Sequence, residues 1–316
     1  MGGANQTRVT EFLLLGFSEQ PGQEQVPFSL FLCAYLLIIA GNLLIILAIG
    51  CDSRLHTPMY FFLANLSWVD ICLSSVTMSK TLVGHIVGSK SISYAECMTQ
   101  MYFFMTFGNM DGFLLSVMAY DRYTAICCPL RYTMIMRPRL CVLLVAVSWV
   151  ITNLHSLLHT LLMVQLTFCS SNVVHHFFCD PYAVLKLSCS DTFVNDIVVF
   201  TVGGLIFLIP FSCIIISYAY ILSNVLKLPT ARGLRKALST CGSHLTVVSL
   251  FYGAVLGVYM HPSSSYSVRD MVTAITFTVL TPLVNPFIYS LRNRDMKEAL
   301  RKLIIIRRIV LSRSQY

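Results

Sequence analysis

Residues 26–50 read VPFSLFLCAYLLIIAGNLLIILAIG, without one charged side chain. A bilayer core about 30 Å thick is crossed by about 20 apolar residues of α-helix at 1.5 Å each, so this stretch is long enough to span. Six more stretches qualify, at roughly 58–80, 98–127, 140–164, 194–226, 237–260 and 270–291. The second and seventh look least apolar and are supported as much by their place in the series. Several contain Gly or Pro, which membrane helices tolerate where neighbours re-satisfy the freed backbone groups. The expected fold is all-α: a seven-transmembrane helix bundle over 26–291, after an extracellular amino-terminal segment, 1–25, and before a cytoplasmic tail, 292–316.

Composition agrees. The chain is 56% hydrophobic and 11% charged, against about 25% charged in an ordinary soluble domain, and the apolar excess must face lipid. The net charge of +8 does not indicate a nucleic-acid partner, because the cations are sorted by side. Sixteen of the 22 Lys and Arg follow spans one, three, five and seven: Arg54; Arg131, Arg137 and Arg139; Lys227, Arg232, Arg235 and Lys236; and eight from Arg292 to Arg313. Arg8, Lys80, Lys90, Lys186 and Arg269 fall on the other side. Positive charge marks the cytoplasmic face, so the amino terminus is expected outside and the carboxyl terminus inside. Residues 1–25 lack a basic start followed by a short apolar core, so the first span is expected to act as its own insertion signal. Asn5-Gln6-Thr7 is a glycosylation sequon on the outer side, whereas Asn65-Leu66-Ser67 lies inside a span.

The same topology sorts the 12 cysteines. Cys33, Cys51, Cys72, Cys127, Cys128, Cys141, Cys213 and Cys241 lie in spans or on the reducing side. Cys97, Cys169, Cys179 and Cys189 lie outside, which allows three pairings. Zinc ligation is the competing reading, opposed by wide spacing and the lack of a Cys-x-x-Cys pair.

Polar residues within spans are expensive and therefore informative. Asp121-Arg122-Tyr123 closes the third span, where Arg122 either acts as a switch or only snorkels to the interface. Asn42, Asp70, Asp111 and Asn285 fall near mid-bilayer on four spans. Two buried carboxylates repel, so one must be protonated or a cation must neutralise them. Pro210, Pro282 and Pro286 interrupt spans five and seven and bend them. His155 and His159 share a face of span four. With no carboxylate or thiol beside them, they suit hydrogen bonding better than a metal.

Five segments carry a family resemblance. Leu55-His56-Thr57-Pro58-Met59-Tyr60 opens span two, and Met118-Ala119-Tyr120-Asp121-Arg122-Tyr123-Thr124-Ala125-Ile126-Cys127 closes span three. Ser217-Tyr218 lies low in span five. Lys236-Ala237-Leu238-Ser239-Thr240-Cys241-Gly242-Ser243-His244-Leu245 opens span six, and Pro282-Leu283-Val284-Asn285-Pro286-Phe287-Ile288-Tyr289 ends span seven. Together, in this order and at these depths, they resemble the vertebrate odorant receptors of the tetrapod-type class, a branch of the rhodopsin-like G-protein-coupled receptors. The resemblance covers nearly the whole chain. One departure is from the aminergic receptors, which place an Asp where this chain has Phe104, so amine ligands are not expected.

The resemblance implies a receptor that binds small volatile organic molecules and activates a stimulatory heterotrimeric G protein to raise cyclic AMP. It implies ligand-facing positions at Phe104, Met105, Gly108, Asn109 and Gly112 of span three and His155 and His159 of span four. Val202, Ile206 and Phe207 of span five, Tyr252, Val255, Leu256 and Tyr259 of span six, and Ile275 and Thr278 of span seven complete that set. It pairs Cys97 with Cys179 and Cys169 with Cys189, holding the loop of about 165–193 over the pocket, where His175, His176 and Asp180 read as solvated or loop-ordering. It implies that Arg122 pairs with Asp121 at rest and meets the G protein when span six swings, with Tyr123, Tyr218 and Tyr289 in the switch. It suggests a sodium ion among Asn42, Asp70, Asp111 and Asn285; a shared proton remains the alternative, and no other cofactor is expected. Residues 292–308 alternate cations with Met296, Leu300, Leu303 and Ile304, as in a short amphipathic helix on anionic lipid. A transporter or channel is the competing class, but neither inverted repeats nor broken helices in matching halves are found. An enzyme would need a metal cluster or a nucleophile–base pair, and neither stands out.

Overall fold

The computed structural model describes residues 9–16, 25–169, 172–227, 231–259, 268–292 and 294–313. Seven helices form the bundle: α1 (Gln25–Cys51), α2 (Pro58–Val87), α3 (Tyr94–Cys127), α4 (Pro138–Val164), α5 (Phe193–Val225), α6 (Ala231–Tyr259) and α7. The last runs from Val268–Ile275 through a π-turn, Thr276–Leu280, into Thr281–Arg292. An eighth helix, α8 (Arg294–Arg313), follows.

Among the described residues five helices are long and apolar enough to cross a membrane: Phe28–Cys51, α2, α4, α5 and Asp270–Tyr289. Of these, the second and seventh spans are the least apolar, as their sequences suggest; α3 falls short, and so does α6, whose apolar part is Cys241–Gly257. For α3, its position explains this. It packs against α2, α4, α5 and α6, and Thr106, Asp111, Asp121, Arg122 and Thr124 are buried along it. Lipid-facing duty falls to the outer helices, which leave Leu36 and Leu44, Val150 and Leu154, and Leu208 and Ile215 exposed. The main core gathers around α3, with Met110, Leu114, Leu115 and Met118 against Phe62, Leu66, Val69, Val247 and Phe251.

One end of the bundle carries a small sheet that the sequence pattern did not indicate. Strand β1 (Glu11–Leu14) pairs antiparallel with β2 (Ser91–Ser93) and parallel with β3 (Val173–Val174), in the order β2-β1-β3. Phe12 is fully buried beneath it against Tyr94 and Phe168. Ser93 caps α3 in a reciprocal capping box with Glu96. Both cystines, Cys97–Cys179 and Cys169–Cys189, are formed at this end. The first roots the long loop on α3, where Gln100 Oε1 also accepts from the Cys179 amide at 2.8 Å.

Of the two readings for the loop histidines, His175 is exposed and takes the solvated one, whereas His176 is buried and takes the loop-ordering one. Its ring is buried between Phe177 and Phe178, at centroid distances of 4.9 and 4.4 Å. Burial depresses its pKa below the ordinary imidazole value, against the opposing pull of Asp180 and Asp270. At the opposite end, α8 packs Met296 and Ala299 into the core. Arg54 joins Asp52 at 2.8 Å and Glu298 at 3.0 Å, tying the first loop to α8. The side chain of Ile304 lies outside the described residues, and the helix runs beyond the expected 292–308.

Cys97→Ser and Cys179→Ser should each cripple surface expression, and the double variant should be little worse than either single. A disulfide contributes about 2–4 kcal/mol and can be lost only once. Surface labelling that finds additive defects would contradict the pairing.

Candidate functional site

A cavity of about 480 Å³ opens inside the half of the bundle nearer the sheet, within the usual size of small-molecule sites. Phe104, Met105, Gly108, Asn109 and Gly112 of α3 line it, with His155 and His159 of α4, Ile206 and Phe207 of α5, Tyr252 and Val255 of α6, and Thr278 of α7. Val202, Leu256 and Ile275 do not. A π-turn at Val199–Gly203 shifts the register of α5, so Val199 and Gly203 face the cavity instead of Val202. Leu256, next to Val255, is turned outward and exposed. Ile275, just before the π-turn of α7, packs into the cluster of Phe31, Ile38 and Phe177. The side chain of Tyr259 lies outside the described residues.

The wall also contains groups that sequence reasoning missed. Phe251 and Phe277 form an aromatic floor with Tyr252 and Phe104. Two glycines of α3 make room for it. A Cβ at Gly108 would come within 2.9 Å of Phe277 Cζ, and one at Gly112 within 3.4 Å of Phe251 and 3.5 Å of the Tyr252 hydroxyl. The long loop closes the top, with Phe178 on Phe104 at 4.7 Å and Asp180, Pro181, Tyr182 and Leu185 in the wall. Asp180 caps the turn of helix Pro181–Leu185, its Oδ1 accepting from the amides of Tyr182 and Ala183 at 3.0 Å. Asp196 also reaches the wall, its Oδ2 accepting from the Thr192 hydroxyl at 3.1 Å. The rim therefore carries two carboxylates, and the wall is free of fixed charge only deeper in. No helical periodicity flags a loop residue as part of a wall, so no sequence signal marked these.

Deeper in, the Asn109 amide donates to His155 Nδ1 at 3.0 Å. The hydroxyl of Tyr102 donates to Asn153 at 2.6 Å and fixes α3 against α4 beside it. His155 Nε2, His159 Nε2 and the Tyr252 hydroxyl are buried and have no hydrogen-bond partner among the described residues.

At mid-bundle, Asn285 Nδ2 donates to Asp70 Oδ2 at 2.8 Å. Asn42 Nδ2 donates to the carbonyls of Ile38 and Pro282, both at 3.1 Å. The second oxygen of Asp70, one of Asp111 and the amide oxygens of Asn42 and Asn285 remain without a hydrogen-bond partner. An oxygen-only donor set suits a hard cation or shared protons, and not zinc or copper. Among the described residues no group of three or more His, Cys, Asp and Glu is arranged to hold a metal ion.

At the far end, Asp121 Oδ1 accepts from the hydroxyl of Tyr132, on the one-turn helix Tyr132–Ile135, at 2.8 Å. Arg122 is 6% exposed and within electrostatic reach of Asp121, Tyr218, His244 and Tyr289. The hydroxyl of Tyr218 bonds His244 Nδ1 at 2.8 Å, and His244 Nε2 bonds the Leu115 carbonyl at 3.1 Å. This chain ties α5, α6 and α3 together. His244 stood inside a motif without an assigned role; a histidine amid small residues in a span was the available signal. Tyr123 lies beside Tyr220 at 5.7 Å.

A membrane bundle with a small-molecule cavity at one end and a buried Asp-Arg-Tyr at the other has the build of a seven-helix receptor. Comparison with known proteins gives the family. The profile described as "Olfactory receptor" matches residues 31–307. Olfactory receptor 1f45 of Rattus norvegicus is 58% identical over 308 residues, covering 97% of this chain and 98% of its own length. Olfactory receptor 1E1 of Pan troglodytes and of Homo sapiens are each 58% identical over 305 residues, covering 96% of this chain and 97% of theirs. The chain belongs to the olfactory receptor family and is a multi-pass membrane receptor for odorants, not an enzyme.

Gly108→Val should lower the potency of agonists at least about tenfold while the receptor still reaches the surface, because the branched side chain would displace Phe277 into the cavity. Unchanged potency in a dose–response series would remove Gly108 from the site.

Proposed function

We propose that the cavity between α3, α4, α5, α6 and α7 is the odorant site, and that it takes a small neutral molecule with an oxygen function. The carrying observation is the composition of the wall: Phe, Met, Val and Ile around a few uncharged polar groups at Asn109, His155, His159, Tyr252 and Thr278. Apolar burial supplies most of the affinity, and one or two hydrogen bonds orient the ligand. For about 11 heavy atoms at roughly 0.5 kcal/mol each, binding comes to about −5 to −6 kcal/mol, which is tens to hundreds of micromolar. Asp180 and Asp196 at the rim disfavour organic anions. Asn109→Ala should weaken responses to oxygenated agonists by about 1 kcal/mol or more. An acid or amine as the best agonist, with neutral odorants silent, would overturn this reading.

The amino terminus lies outside and the carboxyl terminus in the cytoplasm, as the distribution of Lys and Arg supports. Asn5, which lies outside the described residues, is then the glycosylated position. Glycosidase should shift the gel mobility of the receptor, and Asn5→Gln should abolish that shift.

The G protein engages the cytoplasmic end and is of the stimulatory type, raising cyclic AMP. Arg122 is its contact once α6 moves outward, with Asp121, Tyr123, Tyr218 and Tyr289 in the switch. The hold on α6 through His244 supports this role. Asn42, Asp70, Asp111 and Asn285 would hold either a sodium ion or a shared proton, and either one neutralises the paired carboxylates. Arg122→Ala should abolish cyclic AMP output while ligand binding survives. Normal output from a surface-expressed variant would end the switch assignment.

A further inference from the structure

A second cavity, of about 240 Å³, lies between the sheet and the outer ends of α1 and α2. Leu14 of β1, Phe28 and Phe31 of α1 and Leu82 of α2 form its apolar side. Lys80, Lys90, Ser89 and Ser91 form its polar side. Of the five Lys and Arg assigned to the outer side, two meet in this wall. Among the described residues the wall holds no carboxylate, the reverse of the first cavity, whose rim carries Asp180 and Asp196. Lys80 Nζ donates to Glu96 Oε2 at 3.1 Å, but with side-chain exposures of 32% and 58% such a pair holds its members weakly. Lys90 Nζ reaches the Leu15 carbonyl at 3.4 Å. A carboxylate is a stronger acceptor than a carbonyl, and an ammonium has three N–H groups to share.

The same wall touches the lid of the first cavity. Phe31 packs against Phe177 with ring centroids 5.4 Å apart, Phe177 against Phe178 at 4.9 Å, and Phe178 against Phe104 at 4.7 Å. Phe104 and Phe178 belong to the wall of the first cavity. Thr81, also beside the second cavity, donates its hydroxyl to the Phe177 carbonyl.

We infer that the second cavity is a further ligand site, for a small carboxylate amphiphile such as a medium-chain fatty acid, whose binding strengthens the response to odorant. The carboxylate accepts from Lys80 and Lys90, and the alkyl chain lies along Phe28, Phe31 and Leu82. The cavity has half the volume of the first, 240 against 480 Å³, which excludes long-chain acids. A chain packed beside Phe31 holds Phe177 and Phe178 down on Phe104, the position in which Phe178 also contacts an odorant. Two ligands that favour one state of the lid strengthen each other's binding. The coupling rests on the first cavity being the odorant site; the binding of the acid does not.

The test is a series of straight-chain carboxylates from acetate to dodecanoate, each added with the most potent of a set of neutral ketones and esters. Cyclic AMP is read in cells expressing the full receptor. Hexanoate or octanoate should move the agonist curve about fivefold or more to lower concentration, give no response alone, and outdo both acetate and dodecanoate. The double variant Lys80→Gln, Lys90→Gln should lose the shift while its response to agonist alone stays unchanged. Lys80→Arg with Lys90→Arg should keep it. Lys90→Gln alone, which leaves the bridge to Glu96 in place, serves if the double variant fails to reach the surface. No shift at any chain length, a shift to higher concentration, or one that survives the glutamine variants would overturn the inference and leave the odorant site standing. Acids that drive the receptor alone while neutral odorants are silent would overturn both.

Discussion

Lipid offers no hydrogen bonds, so each polar atom in a span must find its partner inside the protein. Most Ser, Thr and Asn side chains in this bundle solve the problem locally. Thr77 donates to the Leu73 carbonyl, Ser148 to Leu144, Ser156 to Thr152, Thr246 to Gly242, and Asn65 to Phe61, each back along its own helix. Asp, His and Tyr cannot turn back in this way and need a neighbouring helix. Such residues therefore collect on and around α3, the helix with the least need to face lipid. Its Asn109, Asp111 and Asp121 belong in turn to the cavity, the mid-bundle cluster and the far end. Among the described residues most of the atoms still unmet fall at these same three places: His155, His159 and Tyr252; Asn42, Asp70, Asp111 and Asn285; and Tyr289; Thr160 of α4 and His176 of the long loop are exceptions. An unmet polar atom in lipid is costly to keep, and its concentration where a ligand, an ion or a moving helix can meet it is the physical mark of function here.

The register of α5 and α7 depends on a second departure from regularity. Each contains a five-residue π-turn beside the cavity, Val199–Gly203 and Thr276–Leu280. The Thr281 hydroxyl donates to the Thr276 carbonyl at 2.9 Å, beside the Thr281 amide that also donates to it and closes the wider turn. These turns bring Val199, Gly203, Phe277 and Thr278 to the wall, while Val202 and Ile275 leave it.

That displacement shows how far the sequence could be read. Seven apolar stretches, the sorting of Lys and Arg, and the polar residues inside spans are all one-dimensional signals, and they carry the fold class and most of the positions on α3, α4 and α6. A wall position counted at 3.6 residues per turn fails where the helix locally adopts another pitch, as at Val202. The sheet pairs Glu11–Leu14 with Ser91–Ser93, about 80 residues away, and with Val173–Val174, about 160 away, and strands of two to four residues leave no periodicity to detect. Nor does anything local distinguish exposed His175 from buried His176. That difference is made by Phe177 and Phe178 packing onto Phe31 and Phe104 from other helices.

The cavity and the far end meet on α6. Phe251 and Tyr252 belong to the floor, and His244 lies two turns along the same helix, about 12 Å away, held by Tyr218 and the Leu115 carbonyl. In the proposed coupling, an outward swing of α6 must withdraw the His244 imidazole from both partners, and a buried imidazole stripped of two hydrogen bonds is a substantial penalty. The resting state is thus held in part by bonds that an outward move of α6 breaks. A ligand shifts the balance only through contacts that differ between the two positions of α6. Tyr252 is placed to make such a contact, since its hydroxyl is unmet at rest and a ligand acceptor beside Gly112 would engage it in one position and not the other. Agonist strength should then follow a ligand's contacts with Tyr252, Phe251 and Val255 of α6 more closely than total buried area, because only contacts to the moving helix differ between the two positions.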